Sequence, residues 1–292
     1  MMNKINYIEL GATLFVPAIH KDLNAIVIET KYPDLKSILI DTEDGIKEEN
    51  LEAAFEAIKN LLSVYEKKHL LVFIRPRNIE ILSELLKFEY IDKVDGFILP
   101  KFSLKNGEKY INLLKNTHFM MMPSIEGEEL FNQKSLHELK EMLLVYNERI
   151  ILLRFGLEDM LRQLKIKRNC EDSIFDFSAT SYVLGGFISI FKSAGFAISG
   201  GVYPCFNDED GFVRDVKRDL KEGLFSKTII HPKQIKVTNE LYKVTKEEFE
   251  EALEICENNR AVFNQNEKMA EVVTMKPHAK EMLLRADIYG VM

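Results

Sequence analysis

The sequence predicts an α/β fold, a (β/α)₈ TIM barrel with a C-terminal helical extension. Three observations support this: eight short runs of β-branched and large apolar residues, amphipathic segments between them, and a length of 292 residues. The runs are continuously apolar, which is typical of parallel strands covered by helices on both faces. They lie at 13–17, 37–41, 71–75, 96–100, 119–123, 150–155, 196–202 and 227–231.

The segments between these runs have the spacing of crossover helices. Apolar residues recur every three or four positions, for example at 47–65 and 133–147. Eight strand and helix units in about 230 residues fit a closed barrel better than an open doubly wound sheet, which usually has a GxGxxG turn after its first strand. No such turn occurs in the sequence.

The pattern changes near residue 236, so we expect a catalytic barrel at 1–236 and a helical extension at 237–292. Helices are predicted at 245–263, where Thr245 and Glu248 form a capping box, and at 278–286. Because no low-complexity linker separates the parts, the extension is predicted to pack on the barrel or on a neighbouring subunit.

Composition excludes several functional classes. Lys and Arg number 39 against 46 Asp and Glu, a net charge of −7, so no overall field favours nucleic acid or an anionic membrane. Cys170, Cys205 and Cys256 show no CxxC spacing, so neither a disulfide framework nor a zinc site is indicated. The N-terminal segment lacks the apolar core of a signal peptide, and no transmembrane run is expected. A cytoplasmic protein is therefore predicted.

In a barrel of this kind the chemistry lies at the carboxyl ends of the strands. The positions selected are Pro17, His20, Asp41, Glu43, Asp44, Arg75, Arg77, Asn78, Lys101, Glu126, Arg154, Glu158, Asp159, Tyr203, Asp208, His231 and Gln234.

Glu126 and Asp159 end adjacent predicted strands, so their carboxylates are expected to converge. Two carboxylates with waters suit Mg²⁺, or Mn²⁺, better than zinc. Asp41, Glu43 and Asp44 lie one step round the barrel, where they could hold metal-bound water or act as a general base. Arg75 could hold a substrate carboxylate or an enolate oxygen in two-point contact.

Each residue also has a purely structural interpretation. Asp44 and Asp159 could cap the helices that follow them, and Arg75 could be a barrel ion-pair partner. Lys101 and Arg154 could equally be structural, and His231 could orient a loop. Because these residues occur together at the strand ends, a functional site is favoured over a separate structural role for each of them.

The motifs ATLFVPA, SILIDTEDGI, VDGFILPK, PSIEG, LRFGLEDM, SGGVYPCFNDEDG, IIHPKQI and MKPHAKEML follow one another in the order and spacing of the HpcH/HpaI aldolase and citrate lyase β-subunit family. The resemblance extends from Leu10 to about residue 286. It is strongest to a divergent branch found in bacterial stress or tellurite-resistance gene neighbourhoods.

This resemblance implies a Mg²⁺-dependent TIM barrel, typically a trimer or hexamer. Its members make or break carbon–carbon bonds through an enolate, using acyl-CoA thioesters or oxo acids. The metal carboxylates fall on Glu126 and Asp159 and the substrate-orienting arginine on Arg75. The acidic motif falls on Asp41, Glu43 and Asp44, and the lysine after strand four on Lys101. Together with the strand-end argument, this makes Arg75, Lys101, Asp41 and Pro17 the expected substrate-binding residues.

The sequence departs from the family pattern at two places. Citrate lyase-like members usually have arginine and serine before LFVP and glycine after it, a loop that helps to hold CoA; here those positions are Gly11, Ala12 and Ala18. Gly200 replaces an aspartate before the GVY motif. These changes put CoA use in question while the metal and enolate residues are present.

The sequence therefore predicts a Mg²⁺-dependent carbon–carbon lyase or aldolase acting on a β-hydroxy acid or acyl-CoA. Asp44 or Glu43 is the expected base. Two alternatives are enolate chemistry on a small oxo acid without CoA, and a non-catalytic member that binds metal or metabolite in a stress-response or biosynthetic complex.

Overall fold

The computed structural model describes residues 5–292. Residues 1–4, part of the N-terminal segment without a signal-peptide pattern, lie outside that range. The chain divides into two compact units, one ending at Ile235 and one beginning at Lys236. No helix in the described range is long and apolar enough to cross a membrane.

The first unit contains a parallel sheet of seven strands, which confirms the predicted barrel. The order across the sheet is β6-β5-β4-β3-β2-β1-β7, so consecutive strands are neighbours from β1 to β6. The strands are β1 (Thr13–Pro17), β2 (Ser37–Asp41), β3 (Leu71–Arg75), β4 (Gly96–Leu99), β5 (Met120–Ile125), β6 (Arg154–Phe155) and β7 (Thr228–Ile229).

The run at 196–202 does not form a regular strand, and in this detail the sequence prediction was wrong. A single parallel bridge joins Ile198 to Leu153. The amide of Phe225 donates to the carbonyl of Ile198, and that of Thr228 donates to the carbonyl of Gly200. The segment thus joins β6 to β7 and closes the sheet. Its glycines, which weaken regular strands, explain the irregularity.

In the first unit, helices cover the sheet and follow the strands as predicted. They are α1 (Leu23–Val27), α2 (Leu51–Val64), α3 (Ile79–Leu85), α4 (Gly107–Leu114), α5 (Gln133–Leu144), α6 (Leu157–Leu164), α7 (Ser178–Lys192) and α8 (Glu209–Lys221). The remaining α-helices of the described residues are α9 (Lys233–Leu241), which spans the boundary, and α10 (Lys246–Glu257) and α11 (Val272–Tyr289) in the second unit. Inside the barrel, a buried apolar cluster fills the space between the strands; its members include Leu39, Phe73, Ile98, Met122 and Leu152.

The second unit differs from its prediction in one element. The capping box of Thr245 and Glu248 is present at the start of α10, but the helix ends at Glu257 rather than at residue 263. The hairpin of β8 (Val262–Gln265) and β9 (Lys268–Glu271) follows. Its two turn residues, Asn266 and Glu267, both have positive φ, as tight hairpin turns require.

The expectation of no disulfide was also wrong. Cys170 and Cys205 form a disulfide with their Cα atoms 5.9 Å apart. They lie 35 residues apart in the sequence, in the loops after α6 and after the 196–202 segment. Short-range spacing could not show this pairing because the fold alone brings the two loops together. Cys256 is free.

The pairing of β4 with β5 provides a test of the barrel. A Cβ added at Gly96 would lie 2.0 Å from the carbonyl oxygen of Met120, so Gly96→Ala is expected to destabilise the fold by about 1–3 kcal/mol or more. Gly185→Ala is the control, because Gly185 is exposed in α7 with nothing within 4 Å; it is expected to stabilise by about 0.5–1 kcal/mol. Urea unfolding midpoints measure both. Equal midpoints for the two variants would contradict the register.

Candidate active site

Parallel register brings three of the predicted site residues together at the carboxyl ends of the strands. Pro17 pairs with Asp41, and Asp41 pairs with Arg75. Side chains at paired positions of neighbouring strands point to the same face of the sheet. The three therefore lie side by side.

Asp41 and Arg75 form a buried two-point ion pair. Nε of Arg75 donates to Oδ1 of Asp41 at 2.7 Å, and Nη2 donates to Oδ2 at 2.8 Å. The backbone amides of Glu43 and Gly45 donate to the same carboxylate. Burial opposes ionisation of Asp41, but the hydrogen bonds and charge of Arg75 outweigh it and hold the pKa of Asp41 below its usual value.

The loop after β2 can wrap round this carboxylate because residue 45 is glycine. A Cβ at Gly45 would lie 2.7 Å from Oδ2 of Asp41. The glycine lets the amide approach the carboxylate to 2.9 Å. This explains the glycine in the sequence LIDTEDGI.

Glu43 lies between two cations. Its carboxylate is 2.8 Å from Nη1 of Arg75 and 2.9 Å from Nζ of Lys101, and its side chain is only 2% exposed. Burial raises the pKa of Glu43, and the two cations counteract this in part. Asp44 is 62% exposed and lies farther away, 4.0 Å from Arg75 and 3.7 Å from Lys101.

Glu126 follows β5 and is buried, with 7% of its surface exposed. Its Oε1 accepts a hydrogen bond of 2.5 Å from the backbone amide of Lys101. Lys101 has a left-handed φ of 47°, so the bend after β4 aims this amide at the carboxylate. Burial raises the pKa of Glu126 to about 7, and the negative charges of Glu43 and Asp159 contribute.

Asp159 lies in the first turn of α6, where the helix dipole favours a carboxylate. Its Oδ1 is 2.5 Å from Nη2 of Arg162, one turn further along the helix. The strand end before α6 approaches Glu126 closely: a Cβ at Gly156 would lie 2.2 Å from Cβ of Glu126. Glycine at 156 is therefore what allows β6 and Glu126 to meet.

Gln163 is a positioning residue that the sequence did not reveal. Its side-chain amide donates to the backbone carbonyls of Glu126 at 2.8 Å and Asp159 at 3.1 Å. It thereby ties the end of β5 to α6. The one indication in the sequence was its position four residues after Asp159, which places the two residues on the same face of the helix.

Other selected residues have structural contacts. Asp208 caps the start of α8, because its side chain accepts a hydrogen bond from the amide of Gly211, and it accepts another from the hydroxyl of Tyr203. The ring of His231 stacks on Phe206 and its Nδ1 accepts from the amide of Lys233. The loop-orienting interpretation of His231 agrees with these contacts.

The donor set fits a hard divalent cation that keeps several waters. Among residues 5–292, no group of three or more His, Cys, Asp or Glu side chains is arranged to hold a metal. Glu126 and Asp159 offer carboxylate oxygens alone, and Glu126 is buried among further negative charges. Mg²⁺ is commonly held by one or two carboxylates with water completing its shell, so the residues present fit this ion.

Comparisons with known proteins agree with the fold. CitE from Mycobacterium tuberculosis, solved in complex with magnesium, acetoacetate and coenzyme A, superimposes with a TM-score of 0.70 at 18% identity, covering 96% of this chain and 99% of that chain. Citrate lyase subunit beta of Escherichia coli (strain K12) is 28% identical over 152 residues, which are 50% of this chain and 48% of that protein.

A second curated relative, a (3S)-malyl-CoA thioesterase of Cereibacter sphaeroides (strain ATCC 17025 / ATH 2.4.3), is 30% identical over 84 residues, 29% of this chain and 28% of that protein. At best, the match spans about half the length of these curated relatives. The model of one family, described as C-C bond lyase of the TIM-barrel fold, matches residues 4–291. With the closed parallel barrel and the carboxylates at its mouth, this match shows that the chain belongs to the C-C bond lyase family of the TIM-barrel fold.

Proposed function

We propose that this protein is a Mg²⁺-dependent carbon–carbon lyase or aldolase whose substrate is a small β-hydroxy acid or its thioester. The observation that carries the proposal is the placement of Glu126 and Asp159 beside the Asp41–Arg75–Glu43 cluster at one end of the barrel. Family membership supports the reaction class.

Glu126 and Asp159 are the residues proposed to hold the metal. When bound, Mg²⁺ supplies Lewis-acid stabilisation of negative charge on a substrate oxygen. Gln163 fixes the backbone of both carboxylate residues, and Lys101 fixes Glu126 through its amide. The chain thus holds the two carboxylates in place through backbone contacts on three elements.

Arg75 is proposed to orient the substrate and stabilise the charge that develops. Its Nε and one N–H of Nη2 are taken by Asp41, and Nη1 also contacts Glu43. A guanidinium has five N–H donors, so two of them remain for a substrate oxygen. Because Asp41 fixes the plane of the guanidinium, these donors are aimed before the substrate binds.

Glu43 is favoured over Asp44 as the general base. In the cleavage direction the base takes the proton of the β-hydroxyl, the C–O bond becomes C=O, and the electron pair of the C–C bond passes to the α-carbon fragment, which is then protonated. A carboxylate with a raised pKa accepts such a proton more readily at neutral pH. Burial gives Glu43 this property, whereas Asp44 is largely exposed.

One observation supports the alternative of a small oxo acid without CoA. Gly11, Ala12 and Ala18 are buried and carry little or no side chain. They occupy the positions at which the resemblance implies CoA-contacting residues. The first loop therefore lacks the arginine and serine side chains that would hold a CoA group.

The metal site is tested by calorimetric titration of Mg²⁺. Glu126→Gln and Asp159→Asn are each expected to abolish measurable Mg²⁺ binding, because each removes one of two charged ligands, without changing the unfolding midpoint greatly. Glu128→Gln is the matched control, since Glu128 is an exposed neighbour paired with Lys105. Wild-type Mg²⁺ affinity in both site variants would contradict the assignment of Glu126 and Asp159 as metal ligands.

The electrostatics of Glu126 predict a pH effect in the metal-free protein. Its carboxyl has a pKa of about 7 in the folded chain against an ordinary 4.5, so the folded state binds the proton more tightly. The contribution of this group to the free energy of unfolding therefore falls as pH rises from about 4.5 to about 7. Carboxyl ¹³C NMR would report the titration directly. Asp159→Asn should lower this pKa; a midpoint near 4.5 in the wild type would contradict the burial argument.

The assignment of the base is tested by kinetics. Cleavage of a panel of β-hydroxy acids, free and as CoA esters, is followed through release of the oxo acid. Glu43→Gln is expected to lower kcat by about 10²–10⁴, while Asp44→Asn keeps most of the activity. The reverse ranking would identify Asp44 as the base, and faster turnover of CoA esters than of free acids would contradict the CoA-free alternative.

A further inference from the structure

Arg154 is a buried cation inside the barrel. Only 4% of its surface is exposed. Its Nη2 donates to Oγ1 of Thr228 at 2.6 Å, and Nη1 contacts the sulfur of Met122 at 3.9 Å. No carboxylate among residues 5–292 lies within ion-pair distance of it, in contrast to Arg75. These contacts leave several N–H donors of the guanidinium without a charged acceptor.

A second arginine lies close by. The guanidinium carbons of Arg75 and Arg154 are 5.2 Å and 5.4 Å from the centroid of the same ring, that of Phe15. Asp41 and Glu43 balance the charge of Arg75, but no carboxylate in the described part of the chain does the same for Arg154. Burial and then the charge of Arg75 lower the pKa of Arg154 to about 9, so it still carries its charge at neutral pH.

Arg154 lies at the floor of the candidate active site, that is, deeper inside the barrel than Glu126. Arg154 pairs in register with Ser124, and Glu126 lies two residues beyond Ser124 on the same face of the chain. Its contacts with Met122 and Thr228 place the side chain in the interior of the barrel. Phe15, whose ring both guanidiniums contact, is partly exposed although both its neighbours in β1 are buried.

An isolated buried charge is costly, because desolvation is not offset by a partner. A hydroxyl, a thioether and the face of one ring compensate a guanidinium only in part. If Arg154 had only a structural role, an apolar side chain of similar length would stabilise the fold more at this position. A charged group at this position, in register with Ser124 and below Glu126 inside the barrel, points to an anionic ligand.

We propose that Arg154 is the binding site for a second anionic group of the substrate, a carboxylate or a phosphate, separate from the reacting end held at Arg75 and Glu126. The placement of the reacting end rests on the proposed function; the anion site itself does not. The substrate would thus span from the carboxylates at the mouth to the guanidinium at the floor, with Phe15 along its side.

The first test uses metal-free protein, so that it is independent of the proposed chemistry. Calorimetric titration with malonate and with phosphate is compared with titration by acetate, in wild type and in Arg154→Met. We expect both dianions to bind the wild type. Their affinity for the variant should be about 10- to 100-fold lower, because the variant lacks the charge-assisted hydrogen bonds of the guanidinium. Undiminished dianion binding by Arg154→Met would overturn the proposal.

The second test uses Mg²⁺-loaded protein and compares oxaloacetate, which has two carboxylates, with pyruvate, which has one. Arg154→Met should weaken oxaloacetate binding and leave pyruvate binding within about twofold. Equal loss for both acids would contradict a site for the second group. Arg154→Lys retains the charge and should recover part of the affinity for oxaloacetate.

Stability measurements separate this role from a structural one. Arg154→Met should unfold at the same or a higher urea concentration than the wild type, because it removes a buried charge without a carboxylate partner. A lower midpoint together with unchanged dianion binding would assign Arg154 to the fold alone. Failure of the proposed metal chemistry has a different signature: Glu126→Gln would leave Mg²⁺ binding intact while Arg154→Met still lost malonate.

Discussion

The ion pair of Asp41 and Arg75 is the contact on which the rest of the site depends. The parallel register of β2 and β3 places the two residues side by side, and their two-point contact then fixes the plane of the guanidinium. Nη1 is left facing Glu43, whose other oxygen faces Lys101. The backbone amide of Lys101 in turn donates a hydrogen bond to Glu126. One buried pair thus organises the ends of four consecutive strands, and removing either partner would leave a buried charge, which typically costs about 3–5 kcal/mol.

A second buried ionic cluster explains one departure from the family pattern. Lys227 is buried, and its Nζ lies 2.5 Å from Asp215 and 2.6 Å from Asp219, both on α8. A Cβ at Gly200 would lie 2.3 Å from the carboxylate of Asp219. A side chain at position 200 is therefore excluded, and α8 supplies acidic groups to this part of the barrel instead. The same glycine interrupts the strand at 196–202 and leaves its carbonyl to pair with Thr228.

The barrel was predictable because its signal is local: continuous apolar runs and the helices between them depend on neighbouring residues. The grouping of Asp41, Glu43 and Arg75 also followed, because the ends of adjacent parallel strands lie at one edge. The Cys170–Cys205 disulfide and the hairpin after α10 could not be predicted in this way. The first depends on two loops far apart in sequence, and the second on positive φ at Asn266 and Glu267. The role of Gln163 was hidden because its partners are backbone carbonyls, which carry no sequence signal.

Negative charge predominates at the mouth of the candidate site, and an unbalanced positive charge lies deeper in the barrel. Five carboxylates, those of Asp41, Glu43, Asp44, Glu126 and Asp159, lie at or near the mouth with three cations, Arg75, Lys101 and Arg162. The surplus of negative charge falls around Glu126, where burial, and then the charges of Glu43 and Asp159, raise the pKa of that carboxyl. Arg154 carries the opposite surplus beneath Phe15. Glu126 and Arg154 are both buried, where water screens charge little, so a cation bound at Glu126 and an anion bound at Arg154 would each offset a buried charge. Under the proposed function, a substrate with anionic groups at both ends would bind together with a divalent ion held by Glu126 and Asp159, and metal binding would then be coupled to substrate orientation.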